Sequence, residues 1–311
     1  MTISEFADRI IVYLRDELDG NPKISRREVI KNNGVERTGI TIIYPDENVS
    51  PNIYLDDYFY EDISDEEVSD IAKRVKSFYL KCRPNGKVDV SFYLNYNEAK
   101  DKIQLKVVNK DMNKDLLEDI PHYDFLDMQV VAYCKVSQDF IGQGTILVRN
   151  DHLNRWGIDA ERLFSDAFIN FLNEEEPQLM SIAELLEMMA DDEKLTKEQR
   201  MAILEDVIKM REMYSTLPMH VLTNKTKIFG ASLILNEDYL YNLSKSFKSD
   251  FYILPSSIHE LILIPSEFVS SVWELKDMVK TVNETAVVQE ELLSDSVYLF
   301  SKSDRKVMIA M

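Results

Sequence analysis

The segment Phe251-Tyr252-Ile253-Leu254-Pro255-Ser256-Ser257-Ile258-His259-Glu260 holds the sharpest chemical possibilities in the chain. An apolar strand runs into a polar turn that offers two hydroxyls, an imidazole and a carboxylate. Ser257 and His259 stand two apart, so on an extended backbone they share a side. That spacing can bring a hydroxyl to a base, as in a hydrolase that uses Ser256 or Ser257 with His259, and Glu260 is the adjacent carboxylate. The same residues also make an ordinary turn, with serine after proline and a histidine that satisfies backbone groups. A second cluster is Asn32-Asn33-Gly34 with Asn48, Ser50, Pro51 and Tyr54. Short amides and hydroxyls at strand ends line a ligand site, or hold turns through side-chain to backbone bonds. His122 follows Pro121 and precedes Asp124 and Asp127, an acid–base arrangement with too few ligands for a metal. Arg155, in Asn154-Arg155-Trp156-Gly157, is a candidate anion contact at a helix end capped by Gly157.

Complete catalytic constellations are missing. There is no P-loop, and Gly142-Gln143-Gly144 lacks the third glycine and the helix start of a dinucleotide fingerprint. No His-Glu-x-x-His or Gly-x-Ser-x-Gly occurs, and His122, His152, His220 and His259 are scattered singly. Residues 54–70 hold eight acids and no base, but without the ligand order of an EF-hand loop. No cofactor and no metal are expected.

The charge balance narrows the partners. The chain carries 36 Lys+Arg against 55 Asp+Glu, a net charge of −19, which disfavours direct contact with nucleic acid. Lys23, Arg26, Arg27, Lys31 and Arg37 form one local basic stretch. It reads first as a solvated strand face and second as a phosphate contact. Cys82 and Cys134 are far apart and in no Cys-x-x-Cys pair, which fits a reducing compartment. The N-terminus lacks the pattern of a signal peptide, and no apolar run reaches the roughly 20 residues of a membrane span. A cytoplasmic protein that does not touch membrane is the expectation.

Periodicity supplies the elements that must position these residues. Ile3, Phe6, Ile10, Tyr13 and Leu14 predict a helix over 3–18, capped by Thr2 or Ser4. Strands are predicted at 27–33 and 38–44, joined through Asn33-Gly34, with a short extended segment through Tyr54. Ser64 and Glu67 form a capping box for a helix reaching about Leu80. Further strands are predicted at 102–108, 126–136, 143–149, 219–223, 229–235, 251–254, 260–264, 297–302 and 306–310. Helices are predicted at 89–99, 111–118, 159–172, 237–247 and 267–282. The stretch 181–215 is helical by pattern, and seven of the 13 methionines lie between Met180 and Met219. Strands in hairpin-like pairs between helices give an α+β fold with mostly antiparallel or mixed sheets, packed helices and a Met-rich helical segment in the middle. The expected parts are an N-terminal α+β part over 1–175, a helical linker or insert over 176–216 and a C-terminal α+β part over 217–311.

Several segments carry a family resemblance. Lys31-Asn32-Asn33-Gly34 with Thr38-Gly39-Ile40, Asn48 through Leu55, Pro121-His122, Phe251 through His259, Val282-Asn283-Glu284 and Leu293-Ser294-Asp295 resemble a clostridial (Firmicutes) family known only as a domain of unknown function. The likeness covers nearly the whole chain. A weaker one, over Leu147–Phe171 and Met219–Ile264, is to a second Firmicutes family without known activity. The resemblance implies a bacterial, intracellular protein and transfers no catalytic residue. The leading expectation is a cytoplasmic interaction or regulatory protein without catalysis, whose partner is another protein that docks on the Met-rich helices. The alternatives are the hydrolase at Ser256, Ser257 and His259, and a small-molecule-binding protein using Asn32, Asn48 and Tyr54.

Overall fold

The computed structural model describes residues 1–84, 86–88, 90, 94–136, 144–182, 184–185, 188, 218–255 and 257–311. Its first layer is built by local rules that act early in the sequence. Helix α1 (Ile3–Glu17) opens on a capping box in which the Thr2 hydroxyl accepts from the Glu5 N–H and the Glu5 carboxylate accepts from the Thr2 N–H. Its buried face is Phe6, Ala7, Ile10, Ile11 and Leu14, the spacing of a single helical stripe. Strands β1 (Lys23–Ile30), β2 (Glu36–Ile43) and β3 (Asn52–Tyr54) form an antiparallel sheet. The β1–β2 reversal passes through a tight 3-10 turn at Asn32–Gly34, where Asn33 takes φ +60° and Gly34 φ +70°. Asparagine and glycine are the residues that enter this left-handed region at least cost. Helix α2 (Asp65–Cys82) starts at the Ser64/Glu67 capping box, with three acids in its positive first turn. Phe6, Ile10, Leu14, Ile40, Ile42, Val75 and Tyr79 close this core.

The rest of the chain packs around a second core. Strands β4 (Ile103–Asn109) and β6 (Met128–Val136) pair antiparallel, and β5 (His122–Phe125) and β7 (Gly144–Leu147) share the far edge of β6. Ile103, Leu105 and Val107 join this core, on the side where helix α6 (Ala160–Glu174) buries Leu163, Ala167 and Phe171. The period of two sends Gln104, Lys106 and Val108 to the opposite face. A six-stranded antiparallel sheet follows, in the order β13-β12-β10-β11-β9-β8. Its strands are β8 (Pro177–Ser181), β9 (His220–Asn224), β10 (Phe251–Pro255), β11 (Leu261–Pro265), β12 (Tyr298–Ser301) and β13 (Lys306–Ile309). One core unites Ile103, Val130 and Leu163 with Leu222, Leu263, Phe251 and Phe300, so packing groups residues 96–171 with 220–300. The architecture is α+β, with antiparallel sheets.

Three local differences from the sequence expectation have physical causes. Residues 229–235 form no strand: Gly230–Leu235 is a 3-10 segment, buried throughout. Phe229 sits at φ +55°, outside the extended region, and the Ser232 hydroxyl closes the turn by donating to the Phe229 carbonyl at 2.6 Å. His122–Phe125 pairs as a strand that an almost fully exposed side-chain pattern concealed. Pro177–Ser181, expected within the helical linker, is the edge strand beside β9. Most of the Met-rich positions expected in 181–215 lie outside the described residues.

Candidate ligand-binding cleft

Three distant parts of the chain meet around a keystone at Gln289–Ser294. The Asn32 amide donates to the Glu290 carbonyl at 2.8 Å. The Asn33 amide donates to the carbonyls of Gln289 at 2.8 Å and Leu292 at 2.7 Å. Asn113 accepts from the Asn33 N–H and donates to the Asn33 side-chain oxygen, at 2.8 and 2.7 Å. Asn109 donates to the Leu293 carbonyl at 3.0 Å, and the Ile258 N–H to the Glu291 carbonyl at 2.8 Å. Every one of these bonds joins residues far apart in sequence, and most engage backbone. They fix the end of β1, the β4 sheet and the turn after β10 against one another.

The junction encloses a cleft of about 450 Å³. That volume is in the range of small-molecule sites. Its floor is the β4–β6–β7 face, with Lys106, Tyr133, Thr145, Leu147 and Arg149. Ile30, Lys31 and Asn32 form one wall; Phe229, Ile258 and His259 form the other, with Glu290 and Glu291 beside them.

Phe229 organises the far wall. The His259 ring stacks on it at 5.6 Å and 11°, Tyr133 meets it edge-on at 5.0 Å, and the Lys106 ammonium lies 4.7 Å from its centroid. Its left-handed backbone is costly for a bulky side chain, and such strain concentrates at functional sites. Gly230 follows it at a position where a Cβ would collide with the Thr223 side chain, the His259 carbonyl and the Asn224 nitrogen.

The electrostatics single out Lys106. It makes no ion pair or hydrogen bond among the described residues, and its ammonium lies against the Phe229 ring. Burial and then the charge of Lys31 push its ammonium down to about 8. Lys31 itself rests over the Tyr54 ring at 4.2 Å. His259 accepts the Phe229 N–H on Nδ1 at 3.1 Å, so its proton sits on Nε2, which faces Glu291 Oε1 at 3.7 Å. Burial holds its pKa below the ordinary value against the opposing pull of Glu291 and Glu260. The Asn32 side-chain oxygen is buried and accepts no hydrogen bond. A half-buried cation with no counter-ion among the described residues and an orphan acceptor are groups that a complementary ligand satisfies.

Replacing Lys106 with methionine is expected to stabilise the protein by about 1–3 kcal/mol at pH 7, because it removes a desolvated charge. The gain shrinks as pH rises from about 8 to the ordinary lysine value of 10.5. In that window the native wild type sheds a proton that the unfolded chain keeps, so the wild type gains stability with pH. Urea denaturation of both proteins across that range measures it.

The residues singled out from sequence distribute unevenly. Asn32 and His259 come together in the cleft, and Tyr54 touches it through Lys31. Ser257 is buried; its hydroxyl accepts the His259 N–H at 3.0 Å, and its own N–H donates to the Glu260 carbonyl at 3.3 Å. These bonds close a turn, and Ser256 lies outside the described residues. Asn33 belongs to the keystone. Asn48 exchanges two bonds with the Val88 backbone, at 2.9 and 2.8 Å, and the Ser50 hydroxyl accepts the Ile42 N–H at 3.1 Å. His122 is exposed with Nδ1 at 3.0 Å from the Ile120 carbonyl, and Arg155 is exposed at the end of helix α5 (Asn150–Trp156). Sequence reasoning passed over Lys106, Tyr133, Arg149, Phe229 and the Glu290-Glu291 pair. The signal for Lys106 was a lone cation inside the apolar run Ile103 to Val108. Among the described residues no group of three or more His, Cys, Asp or Glu is placed to hold a metal ion, and no helix is long and apolar enough to cross a membrane.

Fold and cleft together define an α+β protein whose sheets converge on a partly cationic, aromatic-walled cleft. The chain belongs to a family of unknown function, DUF5688, whose sequence profile matches residues 3–302. No curated protein and no solved structure matches it.

Proposed function

We propose that the protein binds a small organic anion in this cleft, through its carboxylate or phosphate group. The observation that carries the proposal is Lys106, a half-buried ammonium with no counter-ion among the described residues, lining a cavity that three separate parts of the chain assemble. Lys31 and Arg149 add positive charge, and of the two carboxylates lining the cleft Glu290 pairs with Arg37 and Glu291 faces His259, so the cleft is less acidic than a chain of net charge −19 is as a whole. Phe229, Tyr133, Ile30 and Leu147 suit an apolar or aromatic body. Asn32 Oδ1 calls for a hydroxyl or amine donor on the ligand.

A thermal-shift screen over carboxylates and phosphate esters tests this. A ligand at about a hundred times its Kd stabilises the fold by about 2.7 kcal/mol, enough to move the melting temperature by several degrees. The hits are expected to lose their shift in the Lys31→Met variant. A screen in which no anion stabilises the wild type contradicts the proposal.

A protein partner engaging segment 176–216 is a second reading. The β8 strand of that segment pairs with β9, where the Thr223 hydroxyl donates to the His259 carbonyl at 2.8 Å. A partner bound there sits beside the strand that carries the Thr223 contact to the cleft wall. Pull-down with the full chain and with residues 181–215 deleted, each with and without a screened anion, tests it. Capture that ignores both deletion and anion removes this reading.

A further inference from the structure

We propose that Lys106 is the amine nucleophile of the cleft and forms an imine with the carbonyl carbon of a small 2-oxo acid whose carboxylate lies on Lys31. The inference rests on the anion-binding function above and assigns its substrate class. Two features separate Lys106 from a lysine that only supplies charge. First, it lies against an aromatic ring, with no carboxylate or hydrogen-bond acceptor among the described residues to hold it protonated. Second, Lys31 lines the same cleft as Lys106, and desolvation first, then the Lys31 charge, push the Lys106 ammonium down to about 8, which leaves a sizeable neutral fraction there. Desolvation together with a neighbouring cation is the arrangement that makes a lysine amine nucleophilic. A 2-oxo acid matches the pair, because its carbonyl carbon is directly bonded to its carboxylate.

The step balances without an oxidant or reductant. The amine lone pair attacks the carbonyl carbon, and the carbonyl π pair moves to oxygen. A proton passes from nitrogen to that oxygen. The resulting hydroxyl then leaves as water with the second nitrogen proton, and the nitrogen pair closes the C=N bond. His259 Nε2–H and Glu291, paired across 3.7 Å on the cleft wall, are the groups placed to relay these protons.

The test uses the full chain with phenylpyruvate and a mild hydride reductant near pH 8, read by intact mass and peptide mapping. The expected result is one reduced adduct on Lys106, formed at least about tenfold faster than on any surface lysine, as expected for a desolvated amine. Phenyllactate, which keeps the carboxylate and the ring but has no carbonyl, is expected to slow it by competition. Lys106→Met is expected to lose the adduct while melting no lower than the wild type, which shows that it folds. Labelling spread evenly over surface lysines, or an unlabelled Lys106 in a protein that phenyllactate stabilises, overturns the imine and leaves anion binding standing. Absence of both labelling and phenyllactate stabilisation, together with a failed anion screen, removes both.

Discussion

Gly230→Ala is expected to destabilise the protein by about 2–4 kcal/mol, a large effect for one methyl group. A Cβ at this position meets the Thr223 side chain, and lies 2.6 Å from the His259 carbonyl oxygen and 2.8 Å from the Asn224 nitrogen. Two of these three are backbone atoms, fixed in β9 and in the turn after β10, so no rotamer change makes room. The Ala231 N–H to Ile258 carbonyl bond, at 3.3 Å, must lengthen further. Relief comes only from moving Phe229 and His259, and the cleft wall moves with them. Urea denaturation is expected to show a lower midpoint at unchanged slope. A variant as stable as the wild type means that the segment does not pack this closely.

Asn33→Ala is expected to cost roughly 3 kcal/mol, through two separable terms. The first is polar: the change strips the partners from the Gln289 and Leu292 carbonyls and from the Asn113 amide. The second is conformational, because Asn33 holds φ +60°. Asn33→Gly keeps the backbone freedom and loses the bonds, so it is expected to recover about 1 kcal/mol of the loss. The Asn33→Ala, Asn113→Ala double variant is expected to lose less than the sum of the single losses, since both delete the bond from the Asn113 amide to the Asn33 side-chain oxygen. Strict additivity in denaturation experiments contradicts the keystone.

The elements legible in sequence are those written by short-range rules. The period of Ile3, Phe6, Ile10 and Leu14 announced α1, Ser64 with Glu67 announced α2, and Asn33-Gly34 announced the turn between β1 and β2. The strand pair at Tyr298–Ser301 and Lys306–Ile309 followed from alternation and a polar turn. A smaller part of the site was visible in the same way, since Asn32 and His259 drew notice by residue type. Their meeting was not legible, because it depends on bonds such as Asn32 to Glu290, 258 positions apart. Lys106 was hidden by the ambiguity of period two: a lone lysine in a strand reads as a solvent-facing position until another layer covers that face. Phe229 was hidden for the opposite reason. A phenylalanine carries no local preference for positive φ, so its conformation is imposed by the packing of Gly230 and Ser232 around it.

The most direct measurement of the cleft's role is calorimetric titration of a non-carbonyl carboxylate hit from the screen into the wild type and Lys106→Met, at pH 7 and again well above the Lys106 value of about 8. The wild type is expected to bind one equivalent at pH 7, roughly tenfold or more tighter than the variant, and to lose most of that advantage at the higher pH as the ammonium gives up its proton. Equal affinity in the two proteins at pH 7, or an advantage that persists at the higher pH, contradicts Lys106 as the charge that receives the ligand.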